Sequence, residues 1–384
     1  MAQAIFFISA ALLLYNHLIY PAGIILLARF RGSEPAPEQN AAESGSLPSV
    51  TLIIAAYNEE RVIEAKIRNS LELDYPKERL HILVVSDGST DSTPQIVRRF
   101  QDQGVQPLHE PARRGKTAAL NRAVACATSD IVVFSDANNM FEKNALRELV
   151  GHFNDPRVGG VCGLKQIYDS AERESSRGDS LYWKYESAIK ESESRLGSIT
   201  NADGEIFAIR RELYEPVDDR VINDDAEITF LLVRKGYRVL YERRAVSYEH
   251  ASIRIEDDFH VKVRMVCGGF QTMARHWTFL LPRSWFAFSF LSHKVLRWLA
   301  PEFMILTAAS SLWLVSRPFF LWMAILQGIF YSLALIGWLA REGMGRSTVF
   351  YVPFYLCAMN LAALRGLWSF LYGTQTTQWR KAER

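Results

Sequence analysis

Three short polar stretches carry the side chains best suited to holding a charged ligand, and each follows an apolar run that reads as a buried strand. Val50–Ala56 leads into Tyr57-Asn58-Glu59-Glu60, Leu80–Ser86 into Asp87-Gly88-Ser89-Thr90-Asp91, and Ile131–Ser135 into Asp136-Ala137-Asn138-Asn139. In an open α/β sheet, ligands sit just beyond the carboxyl ends of the strands. Acidic or amide side chains at that position three times over are hard to explain by packing. Asp87 stands on such a strand end, where a nucleotide's base or ribose could reach it. Taken alone, Asp-Gly-Ser-Thr reads equally well as a solvated turn ahead of the helix that starts at Asp91-Ser92-Thr93-Pro94. A basic turn, Arg113-Arg114-Gly115-Lys116, opens one later helix, and an acidic run, Asn223-Asp224-Asp225-Ala226-Glu227, opens another.

Strands alternating with helices must position these groups. Helices are expected over 60–72, 93–101, 117–127, 145–153, 178–195, 226–235 and 256–275, with further strands over 159–165, 206–210 and from 238. Such alternation predicts a mostly parallel, doubly wound α/β sheet with right-handed crossovers. The first strand, Val-Thr-Leu-Ile-Ile-Ala-Ala, is apolar on both sides, as a strand covered on both faces should be.

The chain has 384 residues, room for two or three domains at ~150 residues each. Its net charge of +2 gives no reason to expect a nucleic-acid partner. Four cysteines lie far apart without CxxC spacing, which suggests neither a zinc site nor a disulfide framework. Cys162 and Cys267 are expected as buried, inert thiols.

Apolar sequence fills both ends of the chain. Residues 1–31 read as an amino-terminal membrane helix, since 4–28 exceed the about 20 apolar residues that span a bilayer. Arg29 and Arg31 place its carboxyl end on the cytoplasmic side. A polar linker over 32–48 precedes the α/β domain over 49–284. Residues 285–298 mix aromatics with His293, Lys294 and Arg297, as in an interfacial helix whose cations reach headgroups. Residues 299–372 hold about three spanning segments (299–316, 318–340 and 348–372), and 373–384 form a basic tail. Four spans would put that tail outside, whereas Arg380, Lys381 and Arg384 prefer the inside.

In their order along the chain, the motifs resemble those of membrane-embedded family 2 glycosyltransferases of GT-A fold, relatives of cellulose, chitin and hyaluronan synthases. The likeness covers roughly residues 50–270. It implies nucleotide binding by Ala56, Tyr57, Glu59, Asp87, Lys116, Asp136 and Arg264. It places Asp136-Ala137-Asn138 at the family's DxD motif, so that Asp136 and Asn138 would hold a divalent cation, Mg²⁺ or Mn²⁺. It makes Asp225 the general base, with Gly204, Asp224 and Trp183 towards the acceptor. The chemistry is consistent with this. A departing diphosphate needs its charge neutralised by a hard cation and by Lys116 and Arg264, and the acceptor hydroxyl needs a base on the opposite side of the sugar. In-line attack inverts the anomeric centre.

The implied partners are a nucleotide-sugar donor (a UDP-sugar first), a lipid, lipid-linked or saccharide acceptor, and membrane lipids. The implied location is the cytoplasmic membrane, with the catalytic domain in the cytoplasm. Two departures bear on the product. Asn138 replaces the second DxD acid, and Val261 and Met265 replace the Gln and Trp of the QxxRW motif that polymerising members carry, leaving Arg264. Single or short transfer is therefore favoured over a processive polysaccharide synthase. The plainer alternatives are Asp224 as a helix cap, Trp183 and Tyr185 as helix core, His250 as a packed histidine rather than a metal ligand, and Arg210 and Arg211 as solvent-facing. A non-enzymatic membrane scaffold is the rival from another class. A nucleotidyltransferase would want a glycine- and lysine-containing loop after the first strand, and an oxidoreductase a GxGxxG; the sequence has neither.

Overall fold

The computed structural model describes residues 1–31, 47–168, 175–250, 255–340 and 347–375, without the side chains of 168, 175–183, 250 and 255. Most of the 32–48 linker, the 376–384 end of the tail, and the side chains of Trp183 and His250 thus lie outside the described residues.

Eight strands form one sheet: β1 (Val50–Ala56), β2 (Leu80–Asp87), β3 (Val105–Glu110), β4 (Ile131–Asp136), β5 (Met140–Phe141), β6 (Val158–Tyr168), β7 (Phe207–Arg210) and β8 (Arg238–His250). Their spatial order is β3-β2-β1-β4-β7-β6-β8-β5. The β3-β2-β1-β4 half is parallel throughout, as the alternating pattern requires. The other half is mixed, because β7 runs antiparallel to both β4 and β6. Two strands escaped the sequence reading: β3, an edge strand interrupted by Pro107, and the two-residue β5.

Alternation along β1 builds the two cores. Val50, Leu52 and Ile54 point into one layer with Ile63 and Ile67, and Ile53 points into the other with Leu120 and Ala123. The register aligns the strand ends: Ala55 pairs with Val85 on one side and with Asp136 on the other. Parallel neighbours lie about 4.8 Å apart, so the polar stretches after β1, β2 and β4 form one edge.

Among the described residues, three helices are long and apolar enough to cross a membrane: Ala2–Arg31, Pro318–Leu339 and Thr348–Tyr372. The expected segment 299–316 instead holds a 14-residue helix, Ala300–Trp313. At 1.5 Å per residue it is about 21 Å long, short of a hydrocarbon core of about 30 Å. It lies beside the first helix, where the Thr307 hydroxyl donates to Ser9 Oγ at 2.8 Å.

The 285–298 segment departs from expectation in its charges. Lys294 and Arg297 do not reach outward; each side chain is only 14% exposed. Lys294 Nζ lies 2.5 Å and Arg297 2.6 Å from Glu186 of the Ser175–Leu196 helix. His293 is fully buried, with Nε2 3.1 Å from Glu186 and Nδ1 2.7 Å from Glu193. Burial alone would raise the Glu186 pKa, but His293, Lys294 and Arg297 outweigh it and hold the carboxyl well below its usual range. The reason is electrostatic: a buried carboxylate costs less when cations meet it than either charge does alone.

The Ile255–Arg275 helix joins the domain to the last span by close approach. A Cβ on Gly366 would lie 2.8 Å from Val266 Cβ and 2.9 Å from the Val263 carbonyl oxygen. Gly366→Val should therefore cost about 1–3 kcal/mol by overpacking. Gly328→Ala, which meets nothing within 4 Å, should leave the melting temperature unchanged or higher; thermal unfolding in detergent compares the two. Glu186→Gln should cost about 3–5 kcal/mol, because it strands buried cations. The Glu186 pKa is lowered, so its contribution is present above the ordinary glutamate value of ~4.3 and is lost only as pH falls through the lower folded-state value. The variant's deficit should accordingly be full at neutral pH and shrink in acid, as thermal melts at several pH values would show.

Candidate active site

The site forms where the strand-end loops meet the start of the Asp224–Arg234 helix. The loops after β1 and β2 are tied to each other. Asn58, at φ +54°, accepts the Thr90 N–H at 2.8 Å and donates its own N–H to Ser89 Oγ at 3.1 Å. Glu59 N–H donates to Thr93 Oγ1 at 2.8 Å, Glu60 N–H donates to Asp91 Oδ2 at 3.1 Å, and the Glu60 carboxylate accepts the Ser92 N–H at 3.0 Å. The turn after β2 requires glycine. Gly88 has φ +68°, and a Cβ there would sit 2.6 Å from Arg113 Cβ.

Asp87 is buried at the end of β2. Its Oδ2 accepts the N–H groups of Arg114 at 2.9 Å and Gly115 at 2.7 Å, and its Oδ1 meets Arg122 at 2.9 Å. Asp87 thus fixes the basic turn while also lining a pocket with Ala56, Tyr57, Arg113 and Lys116. Arg113 stacks over the Tyr57 ring at 3.8 Å. Of the expected nucleotide residues, Ala56, Tyr57, Asp87 and Lys116 meet in this pocket, and Glu59, Asp136 and Arg264 are not among its lining residues.

Gly115, at φ +102°, turns the chain so that Lys116 enters the site. Its Nζ lies 2.5 Å from Asp136 Oδ1. Burial opposes the charge on Lys116, but Asp136, then Asp224 and Glu205, raise its pKa well above the ordinary lysine value. Behind this pair, a fully buried Lys66 donates to the Asn139 carbonyl at 2.5 Å and lies over the Phe141 ring. Burial lowers the Lys66 pKa to about 7, with Asp136 partly offsetting it. Its spacing from Ile63 on the apolar face was the sequence signal for an inward lysine, and it went unread.

Asp224 is the first residue of its helix, after Asn223, and is buried inside the first turn rather than serving as its cap. Asp225 Oδ2 accepts the Gly204 N–H at 3.2 Å and Oδ1 the Ala226 N–H at 2.7 Å. Burial, then the neighbouring Asp224, push the Asp225 pKa up to about 7 against the opposing pull of Lys116. Burial likewise raises Asp224, while Lys116 and Arg264 favour its charged form. A Cβ on Gly204 would lie 3.7 Å from both Asp225 Oδ2 and Lys116 Nζ, so this glycine stands between the raised carboxyl and the lysine.

Asn138 donates its amide N–H to Glu249 at 2.8 Å, and Glu249 also pairs with Lys165. Lys165 meets Glu205 at 2.7 Å as well. Arg210 and Arg211 are half-buried and turn their guanidinium groups to backbone carbonyls. Arg210 donates to the carbonyls of Phe153, Asp155 and Val158, and Arg211 to that of Ser129. Tyr185 turns to the membrane helix, donating to the His17 carbonyl at 3.1 Å. Burial raises the pKa of both buried thiols, with Cys267 pushed up to about 11.

The 200–204 loop that delivers Gly204 is held from behind. Glu193 accepts the Thr200 N–H and hydroxyl, each at 3.1 Å, and the Tyr20 hydroxyl at 2.9 Å. Lys190, on the same helix as Glu193, pairs with Asp203 at 2.6 Å. Sequence spacing gave no signal of these contacts, because the partners lie 13 and 173 residues apart.

Residues 51–217 match the family model described as Glycosyl transferase family 2. The probable glycosyltransferase YdaM of Bacillus subtilis (strain 168) is 31% identical over 263 residues, 65% of this chain and 62% of that protein. Poly-beta-1,6-N-acetyl-D-glucosamine synthase of Staphylococcus aureus (strain COL) is 26% identical over 236 residues, 60% of this chain and 56% of that protein. The chain therefore spans about six tenths of the length of these curated relatives. Among solved structures, the mannosyltransferase PcManGT from Pyrobaculum calidifontis, in complex with GDP-Man and Mn²⁺, aligns over 98% of this chain and 100% of its own with a TM-score of 0.77 at 23% identity. At that identity the likeness speaks to the fold. These matches, with the mixed sheet, show that residues 51–217 form a Glycosyl transferase family 2 domain and that the fold is GT-A.

Proposed function

We propose that the protein transfers a sugar from a nucleoside-diphosphate sugar, UDP-linked in the first instance, to a hydroxyl of a lipid or lipid-linked acceptor at the cytoplasmic face of the membrane, with inversion and in one or a few transfers. The observation that carries this reading is the meeting of Asp225, Gly204 and the Lys116–Asp136 pair in one site. Asp225 takes the acceptor hydroxyl proton as the oxygen bonds to the anomeric carbon. The bond from that carbon to the donor phosphate breaks, and the nucleoside diphosphate leaves with the electron pair beside Lys116 and Arg264. A base with a pKa near 7 suits a reaction run at neutral pH.

The residues present fit a hard divalent cation. Asp136 offers carboxylate oxygen, and Asn138, its N–H engaged by Glu249, offers its amide oxygen. Among the described residues no group of three or more His, Cys, Asp or Glu side chains gathers around a metal position. Two protein oxygens completed by the donor's phosphates match the way Mg²⁺ is commonly held. Such an ion, when bound, neutralises charge on the departing diphosphate.

The relative named as a poly-N-acetylglucosamine synthase favours a second reading, polysaccharide synthesis. Against it stands Met265, 44% exposed where polymerising members of the resembled family carry Trp. Product length decides between the two.

Release of nucleoside diphosphate by detergent-purified protein tests the reaction, across UDP- and GDP-sugars with Mg²⁺ or Mn²⁺ and bacterial lipid extract. Asp225→Asn should lose about 10²–10⁴-fold in kcat while retaining donor binding. Because the raised carboxyl must be deprotonated to act, kcat/KM should rise with pH through about 7 and level off above it. No turnover with any donor, together with no nucleotide binding, would overturn the reading.

For topology we propose three spans, with the 300–313 helix not crossing. The tail then returns to the side of the catalytic domain, where Arg380, Lys381 and Arg384 are favoured. A carboxyl-terminal fusion should thus be active as a cytoplasmic reporter and inactive as a periplasmic one; the reverse pattern would restore a fourth span.

A further inference from the structure

A second pocket lies across the start of the Asp224–Arg234 helix from the nucleotide pocket. Asn223 and Ala226, which flank Asp224 and Asp225, form part of its wall. The Ile255–Arg275 helix and the 285–298 segment close it, contributing Thr272, Lys294 and Trp298. Thr200, Asn201 and Phe230 complete the surfaces that matter here.

Thr272 is 2% exposed, and among the described residues its hydroxyl has no hydrogen-bond partner. A buried threonine in a helix ordinarily bonds the carbonyl one turn back. Thr229 does so to Asp225, and Thr307 to Phe303. An unpartnered buried hydroxyl is costly unless something else meets it. No aspartate or glutamate is among the residues lining this pocket. Lys294 spends one N–H on Glu186, leaving the ammonium two more donors. Thr200, Asn201 and Asn223 each spend a donor on other protein groups, so the Thr272 hydroxyl and the Lys294 ammonium are the donors turned to a ligand. A free hydroxyl beside a cation, with no acid in the lining, favours an anion, while Phe230 and Trp298 offer apolar walls beside it.

We propose that this pocket holds the phosphate of a lipid-linked acceptor, with Thr272 and Lys294 donating to its oxygens and Phe230 and Trp298 meeting its first carbons. Anchored there, the acceptor presents its hydroxyl to Asp225 from the side opposite the donor. The inference rests on the transferase reading for its purpose but not for its test.

Full-length protein in detergent is titrated with a long-chain isoprenyl monophosphate, the matching isoprenol and inorganic phosphate, and affinity is read from the rise in melting temperature. The isoprenyl phosphate should stabilise saturably, and the other two should bind at least about tenfold more weakly, since each lacks one half of the recognised chemistry. Thr272→Val keeps the shape and removes only the hydroxyl. It should weaken isoprenyl phosphate binding by about tenfold, while the ligand-free melting temperature stays the same or rises. Lys294→Gln should weaken binding further. Unchanged affinity in Thr272→Val, no stabilisation by the isoprenyl phosphate, or equal binding of inorganic phosphate would each overturn the proposal. Because no step requires sugar transfer, a protein that binds the lipid phosphate but neither turns over nor binds any nucleotide-sugar donor would refute the transferase reading and leave the pocket standing.

Discussion

Lys116 is the charge on which the site depends. Its ammonium lies against Asp136 and within the field of Asp224 and Glu205, in a region largely closed to water. Several carboxylates buried together would repel one another and protonate; one buried cation among them makes the arrangement tenable. The lysine reaches that place because Gly115 adopts a backbone conformation that other residues resist, and because Asp87 pins the preceding N–H groups. The field of this lysine also tempers the rise in the Asp225 pKa. Lys116 thus bears on the charge of the candidate base as well as on that of Asp136.

The scaffold behind this centre extends into the membrane region. Glu193 links the Thr200 backbone, the Tyr20 hydroxyl of the first membrane helix and His293 of the 285–298 segment. Four residues beyond Thr200, Gly204 donates to Asp225. The first membrane helix is therefore more than a tether, since its Tyr20 buttresses the helix that fixes the catalytic loop. Burying Glu186 and Glu193 with three basic side chains is a costly way to join two parts of a protein. Its gain is directionality, because ion pairs hold an orientation that apolar contact alone would leave loose.

Much of the site was legible before any coordinates. The strand ends at Tyr57, Asp87 and Asp136, the basic turn at Arg113-Arg114-Gly115-Lys116 and the acidic helix start at Asp224-Asp225 are local patterns, each written within a few residues. Misreadings occurred where a side chain's partner is distant in sequence. Lys294 and Arg297 looked like headgroup ligands because an amphipathic stretch carries no mark of Glu186, about a hundred residues away. Arg210 and Arg211 looked solvent-facing because carbonyl oxygens have no sequence signature. Lys66 was passed over because a lysine on an apolar face reads as an error in the pattern until the Asn139 carbonyl is seen above it.

The sequence by itself determined the parallel half of the sheet, the polar groups at its edge and the apolar ends of the chain, while the role expected of Asp225 came from the family resemblance. The first three follow from periodicity, length and residue type, which act over short range. Tertiary structure alone decided that β7 runs antiparallel and that the segment 299–316 yields a helix of only 14 residues. It also decided that a third strand lies at the sheet edge, that an orphaned Thr272 hydroxyl opens on a second pocket, and that the membrane helix touches the catalytic scaffold. Each of these depends on which distant surfaces meet, and contact between residues far apart in the chain leaves no local pattern to read.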